Sequence, residues 1–337
     1  MRTFIHYFLV SAFVLTIVSC EHELPFNVKD NPPKLVMNAL INADSLSNIV
    51  FLNLTGKEHM SHILDATLEV RINGDLKEQL RPLPIESEYV IPQCQFRVTS
   101  KLTPGDVLRL DAITDDGQYH AWSEVTVPRR LAEIENIDTL TIQLSTSGYT
   151  SEYLRHKITF TDLPDEDNYY RLIMDTRLMF KKLNDNNEIV TNEWRNYNFI
   201  YREDIVLTDG QPSTDDDDEN GLFDTSKNIY GVFNDSRFKN STYTMTVHVP
   251  RYLFQDIDDR PHLSAKIDII VRLVSITEME FYYLRALNLI DSDSFDETIN
   301  EPVKFPSNVN GGIGFVGVST EVSRVIQILD EKEPSRM

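Results

Sequence analysis

Short runs of β-forming residues separated by turns constrain the fold of this chain more than any other sequence feature. Between residues 34 and 128, about seven such runs occur, most of them bounded by Gly, Pro, Asn or Asp. The run 66–73, ATLEVRIN, alternates apolar with polar side chains, which predicts one buried and one solvated face. Asn73 and Gly74 then predict a tight hairpin, because both tolerate positive φ. We therefore expect an immunoglobulin-like β-sandwich over residues 34–130.

The second half of the chain, residues 131–337, predicts a larger antiparallel β domain. Its predicted strands are longer than those of the first half, and one of them covers residues 196–207. Strand-like sequence dominates both halves, so the predicted fold class is mainly β.

One helix is expected within the second domain, near residues 278–290. Phe281 and Leu284 begin a set of apolar residues at helical spacing. Thr277 and Glu280 form a capping-box sequence, in which the Thr hydroxyl accepts an amide and the Glu side chain reaches back to the cap. The helix is therefore predicted to be amphipathic and to pack on a β-sheet.

The beginning of the chain has the pattern of a lipoprotein signal peptide. A positive charge precedes an apolar run, and Ile17 and Ser19 stand three and one residues before Cys20. We expect residues 1–19 to be removed, Cys20 to carry the lipid, and residues 20–33 to form a tether. The alternatives are an uncleaved anchor helix and an ordinary signal sequence that happens to end in Cys.

The cysteine content and the net charge of −21 limit the remaining possibilities. If Cys20 is acylated, Cys94 has no partner for an intramolecular disulfide, so the fold rests on packing. Cys94 is expected to be a small apolar core residue. The excess of acidic residues repels nucleic acid and anionic lipid, so neither is an expected partner.

Several further segments are recognisable in their order along the chain. They are residues 33–36, 169–172, 233–238, 280–284, 301–303 and 307–315. Together with Cys20, they resemble a Bacteroidetes lipoprotein family catalogued as domain-of-unknown-function family 4249, whose members tend to have Gly where this chain has Asn240. The resemblance implies outer-membrane lipoproteins that are commonly encoded beside TonB-dependent transporters. It brings no catalytic residues with it.

An acidic run over residues 214–224 is the candidate metal site. Asp216, Asp218, Asn220 and Asp224 have the spacing with which calcium loops place alternate oxygen ligands around the ion. The glutamate that usually closes such a loop is missing. A run of like charges is also typical of a solvated loop, and that alternative stays open. Calcium is the one cofactor that the sequence suggests.

Residues 312–317 match the glycine pattern of a dinucleotide-binding loop. That mechanism needs a helix after the glycines, whereas the sequence that follows is strand-like. The glycines therefore favour a turn at residues 310–312 and a strand packed closely against a neighbour.

Trp194 and Tyr197 are the candidate ligand-contact aromatics. Aromatic side chains bury a large area with little loss of conformational entropy, which suits a recognition surface. Packing of the pair against the second domain is an equally good interpretation.

The predicted function is that of a non-catalytic lipoprotein held at the outer membrane and exposed on the cell surface. We expect it to be an accessory or ligand-capture partner of a TonB-dependent transporter. A cell-surface adhesin or fimbria-like structural subunit is the alternative. An enzyme is the least supported hypothesis, because no G-x-S-x-G, HExxH or P-loop sequence occurs.

Overall fold

The computed structural model describes residues 32–56, 61–62, 65–84, 94–146, 149–183, 189–197, 204–210, 228–251, 263–291 and 303–329. Within these ranges the chain forms sixteen strands and one helix. They are numbered β1 to β16 and α1 in chain order.

The first half of the chain contains eight strands. Their bounds are β1 (Leu35–Asn42), β2 (Asn48–Leu54), β3 (Ser61–His62), β4 (Ala66–Ile72), β5 (Asp75–Leu80), β6 (Cys94–Val98), β7 (Val107–Thr114) and β8 (His120–Thr126). Every second residue of β4 is buried. Asn73 and Gly74 have φ values of 54° and 88° in the hairpin between β4 and β5. The predicted alternation and the predicted hairpin are therefore confirmed.

The second half contains longer strands and the helix. Its elements are β9 (Asn136–Thr146), β10 (Tyr149–Thr161), β11 (Tyr169–Leu183), β12 (Ile189–Tyr197), β13 (Val232–Asn234), β14 (Thr242–Pro250), β15 (Leu263–Ile276), α1 (Glu278–Ile290) and β16 (Ile313–Leu329). The helix has the predicted bounds. The mainly β fold class is confirmed.

A nine-stranded sheet, the main sheet, connects the two halves of the chain. Its strand order is β12-β11-β15-β16-β1-β2-β3, with β13 also paired to β11 and β6 to β2. β16 makes the connection. Its residues 313–319 pair in parallel with β1, and its residues 320–329 pair antiparallel with β15. One strand near the end of the chain therefore belongs to both halves of the fold.

One face of the main sheet, the core face, is covered by two smaller sheets. The four-stranded sheet β5-β4-β7-β8 encloses the first core, to which β16 contributes Val316 and Val318. The three-stranded sheet β14-β10-β9 encloses the second core, against which Val322 and Ile326 of β16 pack. The fold is thus a pair of β-sandwiches that share the main sheet. The immunoglobulin-like arrangement and the domain division at residue 130 stay predictions.

The opposite face of the main sheet, the helix face, carries α1. Tyr283 of α1 stacks on Phe315 of β16, and Phe281 packs beside Val274 of β15. Because side chains of a strand alternate between faces, Phe315 and Gly317 lie on the helix face while Val316 and Val318 enter the first core.

The predicted strand over residues 196–207 is wrong at its C-terminal end. Residues 205–210 form turns. The buried Asp204 carboxylate accepts hydrogen bonds from the amides of Val206 and Leu207 at 3.0 and 3.3 Å, which closes a local turn instead of a ladder. The same carboxylate accepts from Thr246 N at 2.8 Å and so attaches the turn to β14.

Candidate functional site around helix α1

Helix α1 begins where β15 ends, because Thr277 caps it. Thr277 has extended backbone angles, φ −77° and ψ 156°, and its hydroxyl accepts from Glu280 N at 3.2 Å. This satisfies one of the amides that the first turn leaves free. Half of the predicted capping box is confirmed.

The apolar side of α1 forms a third, small core on the helix face. Phe281 and Leu284 are buried with Val232, Val274 and Ile276, which come from β13 and β15. Complete burial of each large apolar side chain stabilises the fold by about 1.5–3 kcal/mol. α1 is therefore held to the main sheet mainly by packing.

Tyr283 links α1 to the glycine-rich start of β16. Its ring lies parallel to that of Phe315, with centroids 4.3 Å apart and an angle of 11° between the planes. The ring centroid of Phe305 lies 5.7 Å from that of Tyr283. Offset aromatic pairs of this kind add stability beyond the area they bury.

Glu280 does not make the second half of the capping box. Its side chain turns under the helix, where it is 3% exposed. A Cβ at position 317 would lie 2.5 Å from Glu280 Oε2, so Gly317 provides the space for the carboxylate. Among the described residues, Oε2 has no hydrogen-bond partner. The prediction that Glu280 reaches back to the cap is therefore wrong.

The electrostatic environment of Glu280 disfavours its charge. Burial raises the pKa of Glu280 to about 7, although the positive charge of Arg171 on β11 opposes the shift. Burial also lowers the pKa of Arg171, whose Nε donates to Tyr230 O at 2.9 Å. A carboxyl group held in this way changes protonation near neutral pH.

The glycines before and within β16 allow close packing, as predicted. A Cβ at Gly312 would meet the Leu35 carbonyl oxygen, and one at Gly314 would meet that of Met37. Asn308 completes the backbone pairing of this stretch, since its side chain accepts from Val316 N at 2.9 Å and donates to Val316 O at 2.7 Å. β16 follows the glycines, so they do not open a helix that could bind a pyrophosphate.

Segments that carry the family resemblance converge on α1. Residues 169–171 of β11 pair with 232–234 of β13. Tyr169 then contacts the helix twice, with its ring 5.2 Å from that of Phe281 and its hydroxyl donating to Glu278 Oε1 at 3.0 Å. Segments more than a hundred residues apart in sequence therefore build one packed junction.

Charged side chains occupy the helix face beyond α1. Arg272 Nη1 lies 3.4 Å from Asp175 Oδ2, and its Nε lies 3.5 Å from Glu321 Oε2. Arg177 Nη2 donates to Asp268 Oδ2 at 2.6 Å. Asp175 and Asp268 are both nearly fully buried, and their charges are balanced by these arginines.

The outward side of α1 exposes apolar side chains. Met279 is 42% exposed, Tyr282 is 52% exposed and Leu289 is 45% exposed. Leu40, beside Gly317, and Phe305, beside Tyr283, are exposed next to the helix. We call the surface formed by these five side chains the α1 surface.

Most of the predicted site residues are not brought to this junction. Cys20 and the candidate calcium ligands Asp216, Asp218, Asn220 and Asp224 lie outside the described residues. Trp194 and Tyr197 belong to the edge strand β12, where their backbones pair with Leu178 and Asp175. Their role in ligand contact stays a prediction. The strand begins at Ile189, earlier than the sequence predicted.

Cys94 is buried in the first core, as predicted. Burial raises the pKa of its thiol to about 11, so it stays protonated at neutral pH. In the described ranges, no three His, Cys, Asp or Glu side chains are grouped to hold a metal ion. The helix that the structure describes is too short and too polar to span a bilayer.

Sequence reasoning missed the buried position of Glu280. The available signal was that Glu280 lies between apolar residues on the side of the helix that also carries Phe281 and Leu284. The capping-box pattern predicts the opposite, a Glu280 side chain that reaches back to the cap. The side chain can be buried because Gly317, which is distant in sequence, leaves space for it.

Fold and site together define a class of protein. It is mainly β, two sandwiches share the main sheet, and the one helix that the structure describes packs on the helix face of that sheet. The family model described as Domain of unknown function (DUF4249) matches residues 21–324. The chain therefore belongs to that family. No curated protein matches it.

Proposed function

We propose that this protein is a non-catalytic lipoprotein of the outer membrane, attached through Cys20 and exposed on the cell surface. In this role it is an accessory or ligand-capture partner of a TonB-dependent transporter. The α1 surface is the part that contacts the transporter. The membrane attachment follows from the sequence before Cys20.

The observation that carries the binding role is the α1 surface. Met279, Tyr282 and Leu289 are exposed on one side of the helix, with the charged Arg285 between Tyr282 and Leu289, in a chain of net charge −21. Exposed apolar clusters that include aromatic residues and Met are typical of protein interfaces. The charged helix face beside it supplies a polar rim.

The packing beneath the α1 surface suits a contact region. Phe281, Leu284 and Tyr283 fix the helix against three different strands. A rigid surface loses less entropy on binding than a mobile one. The segments shared with the family therefore build a platform, and the outward residues on that platform select the partner.

The anchor is tested by metabolic labelling with palmitate in cells, followed by separation of membranes. We expect wild type and Cys94→Ala to be labelled and found in the membranes, and Cys20→Ala to be unlabelled. Labelling of Cys20→Ala would refute the anchor.

The contact surface is tested by photo-crosslinking from single positions in the membrane-bound protein. A photoreactive residue at Tyr282 is compared with one at Leu140 on β9, because both side chains are about half exposed. We expect a TonB-dependent transporter among the products from position 282 and not from position 140. Equal yields from both positions would contradict a specific α1 surface.

A further inference from the structure

The carboxyl group of Glu280 is buried beneath α1 without a partner, among the described residues, that would stabilise its charge. It lies in the first turn of the helix, it is 3% exposed, and it faces Gly317 of β16. No donor from the described part of the chain reaches Oε2. An ionised carboxylate in such a place is destabilised unless it is paired.

The neighbouring charged groups are engaged elsewhere. Arg171 of β11 is the positive group that acts on Glu280, yet it forms no ion pair with it and donates to Tyr230 O. Arg272 of β15 is paired with Asp175 and with Glu321 of β16.

The remaining groups near this part of α1 do not compensate Glu280. Glu278, on the same helix turn, accepts from the Tyr169 hydroxyl. On β16 and β1, Gly317 lies between Glu280 and Leu40, and neither Gly317 nor Leu40 carries a charge. The neutral acid is therefore the form that fits the site.

We propose that Glu280 makes the docking of α1 on the main sheet depend on protonation: the neutral carboxyl group seats the helix and the carboxylate loosens it. The helix is attached at one end to β15 through Thr277, so it can separate from Gly317 without unfolding the strand. Loosening uncovers the apolar side chains beneath α1 and changes the α1 surface.

The direction with pH follows from the two protonation states. Below about pH 4.5, the carboxyl group is protonated whether α1 is docked or free. Between about 4.5 and 7, the free helix releases the proton and the docked helix retains it, so docking weakens as pH rises. Above about pH 7 both forms are ionised, and docking is weakest and constant.

Hydrogen exchange measured by mass spectrometry on the full chain tests this proposal. Peptides covering α1 are compared between wild type and Glu280→Gln, which has nearly the same shape and no titration. We expect protection within a few-fold at pH 5, and exchange of α1 about 300-fold faster in wild type than in Glu280→Gln at pH 8. Glu278→Gln is the matched control, because Glu278 is exposed on the same turn, and it should behave as wild type.

The wild-type chain provides a second measurement that needs no substitution. The ratio of protection in α1 to protection in the β15 peptide cancels the intrinsic pH dependence of exchange. This ratio should fall between pH 5 and pH 8. A constant ratio, or an equal effect of Glu278→Gln, would overturn the proposal.

Discussion

The two faces of the main sheet are built from the same strands, but they bury different chemistry. From β1, the first core receives Met37, Ala39 and Ile41. On the opposite face of β1, the side chains of Asn38 and Asn42 form hydrogen bonds with β16. The same alternation gives β15 an apolar row on the core face and two charged residues, Asp268 and Arg272, on the helix face. The core face therefore buries mainly apolar side chains, whereas the helix face also buries paired charged side chains.

The largest expected effect lies on the core face. Phe160→Ala should lower the free energy of unfolding by about 4 kcal/mol, because the Phe160 ring is fully buried among four aromatic rings of the second core. Denaturant unfolding followed by circular dichroism measures the loss. Because β16 is shared, we also expect amides of β7 in the first core to exchange faster. Unchanged protection of β7 would show that the two cores unfold independently, and Leu140→Ala provides a surface control.

A smaller effect is expected where the two halves of the sheet meet. Gly314→Ala should destabilise the protein by about 3 kcal/mol, since its φ is +115° and a Cβ would collide with the Met37 carbonyl. Gly105→Ala separates the backbone strain of a positive φ from the steric collision of the new Cβ. Gly105 has a φ of +90° with open space around it, so it should lose only about 1 kcal/mol. Equal losses at the two positions would mean that the close approach of β1 and β16 contributes nothing.

On the helix face, one substitution should increase stability. Glu280→Gln removes the penalty of a carboxylate whose pKa is about 7 when buried and about 4.5 when free. At pH 8 this should raise the free energy of unfolding by about 3 kcal/mol, and the gain should shrink towards pH 5. Thermal melts across this pH range measure it. A gain that is the same at every pH would contradict a titrating group.

The smallest effect concerns the ion pairs of the helix face. Arg177→Ala should cost about 1–2 kcal/mol, because Asp268 is 1% exposed and would keep only Lys266, whose Nζ is 3.5 Å away. Arg81→Ala is the control, since its pair with Asp115 lies in solvent and its loss should leave the melting temperature unchanged. A loss in the control as large as that of Arg177→Ala would remove the distinction between buried and surface pairs.

Features that depend on neighbouring residues were predictable from the sequence. The bounds of α1 follow from Thr277 and from apolar spacing within the helix, and both signals lie inside about fifteen residues. The hairpin at Asn73 and Gly74 follows from the conformational freedom of the two residues themselves. The strand β5 is polar and mostly exposed, so its own sequence lacks the apolar alternation that identifies a strand, and only the turn before it indicates a hairpin.

Features that depend on distant contacts were not predictable. The pairing of β16 with both β1 and β15 is set by segments from opposite ends of the chain. The buried position of Glu280 depends on the space left by Gly317, which is also outside the helix. For the candidate site, the helix that carries the α1 surface was therefore predictable from the sequence, but the contacts beneath it were not.

The parallel pairing of β1 with β16 also determines when the protein can finish folding. The hydrogen bond from Phe315 N to Asn38 joins residues that are 277 positions apart. A chain synthesised from its N-terminus has no complete first sandwich until Val316 and Val318 have been made, although every other strand of that sandwich is finished long before. Contacts at such separation form slowly, so the early part must stay incompletely packed until the late part arrives. Maturation of the two halves is thus tied to one late event, the insertion of β16.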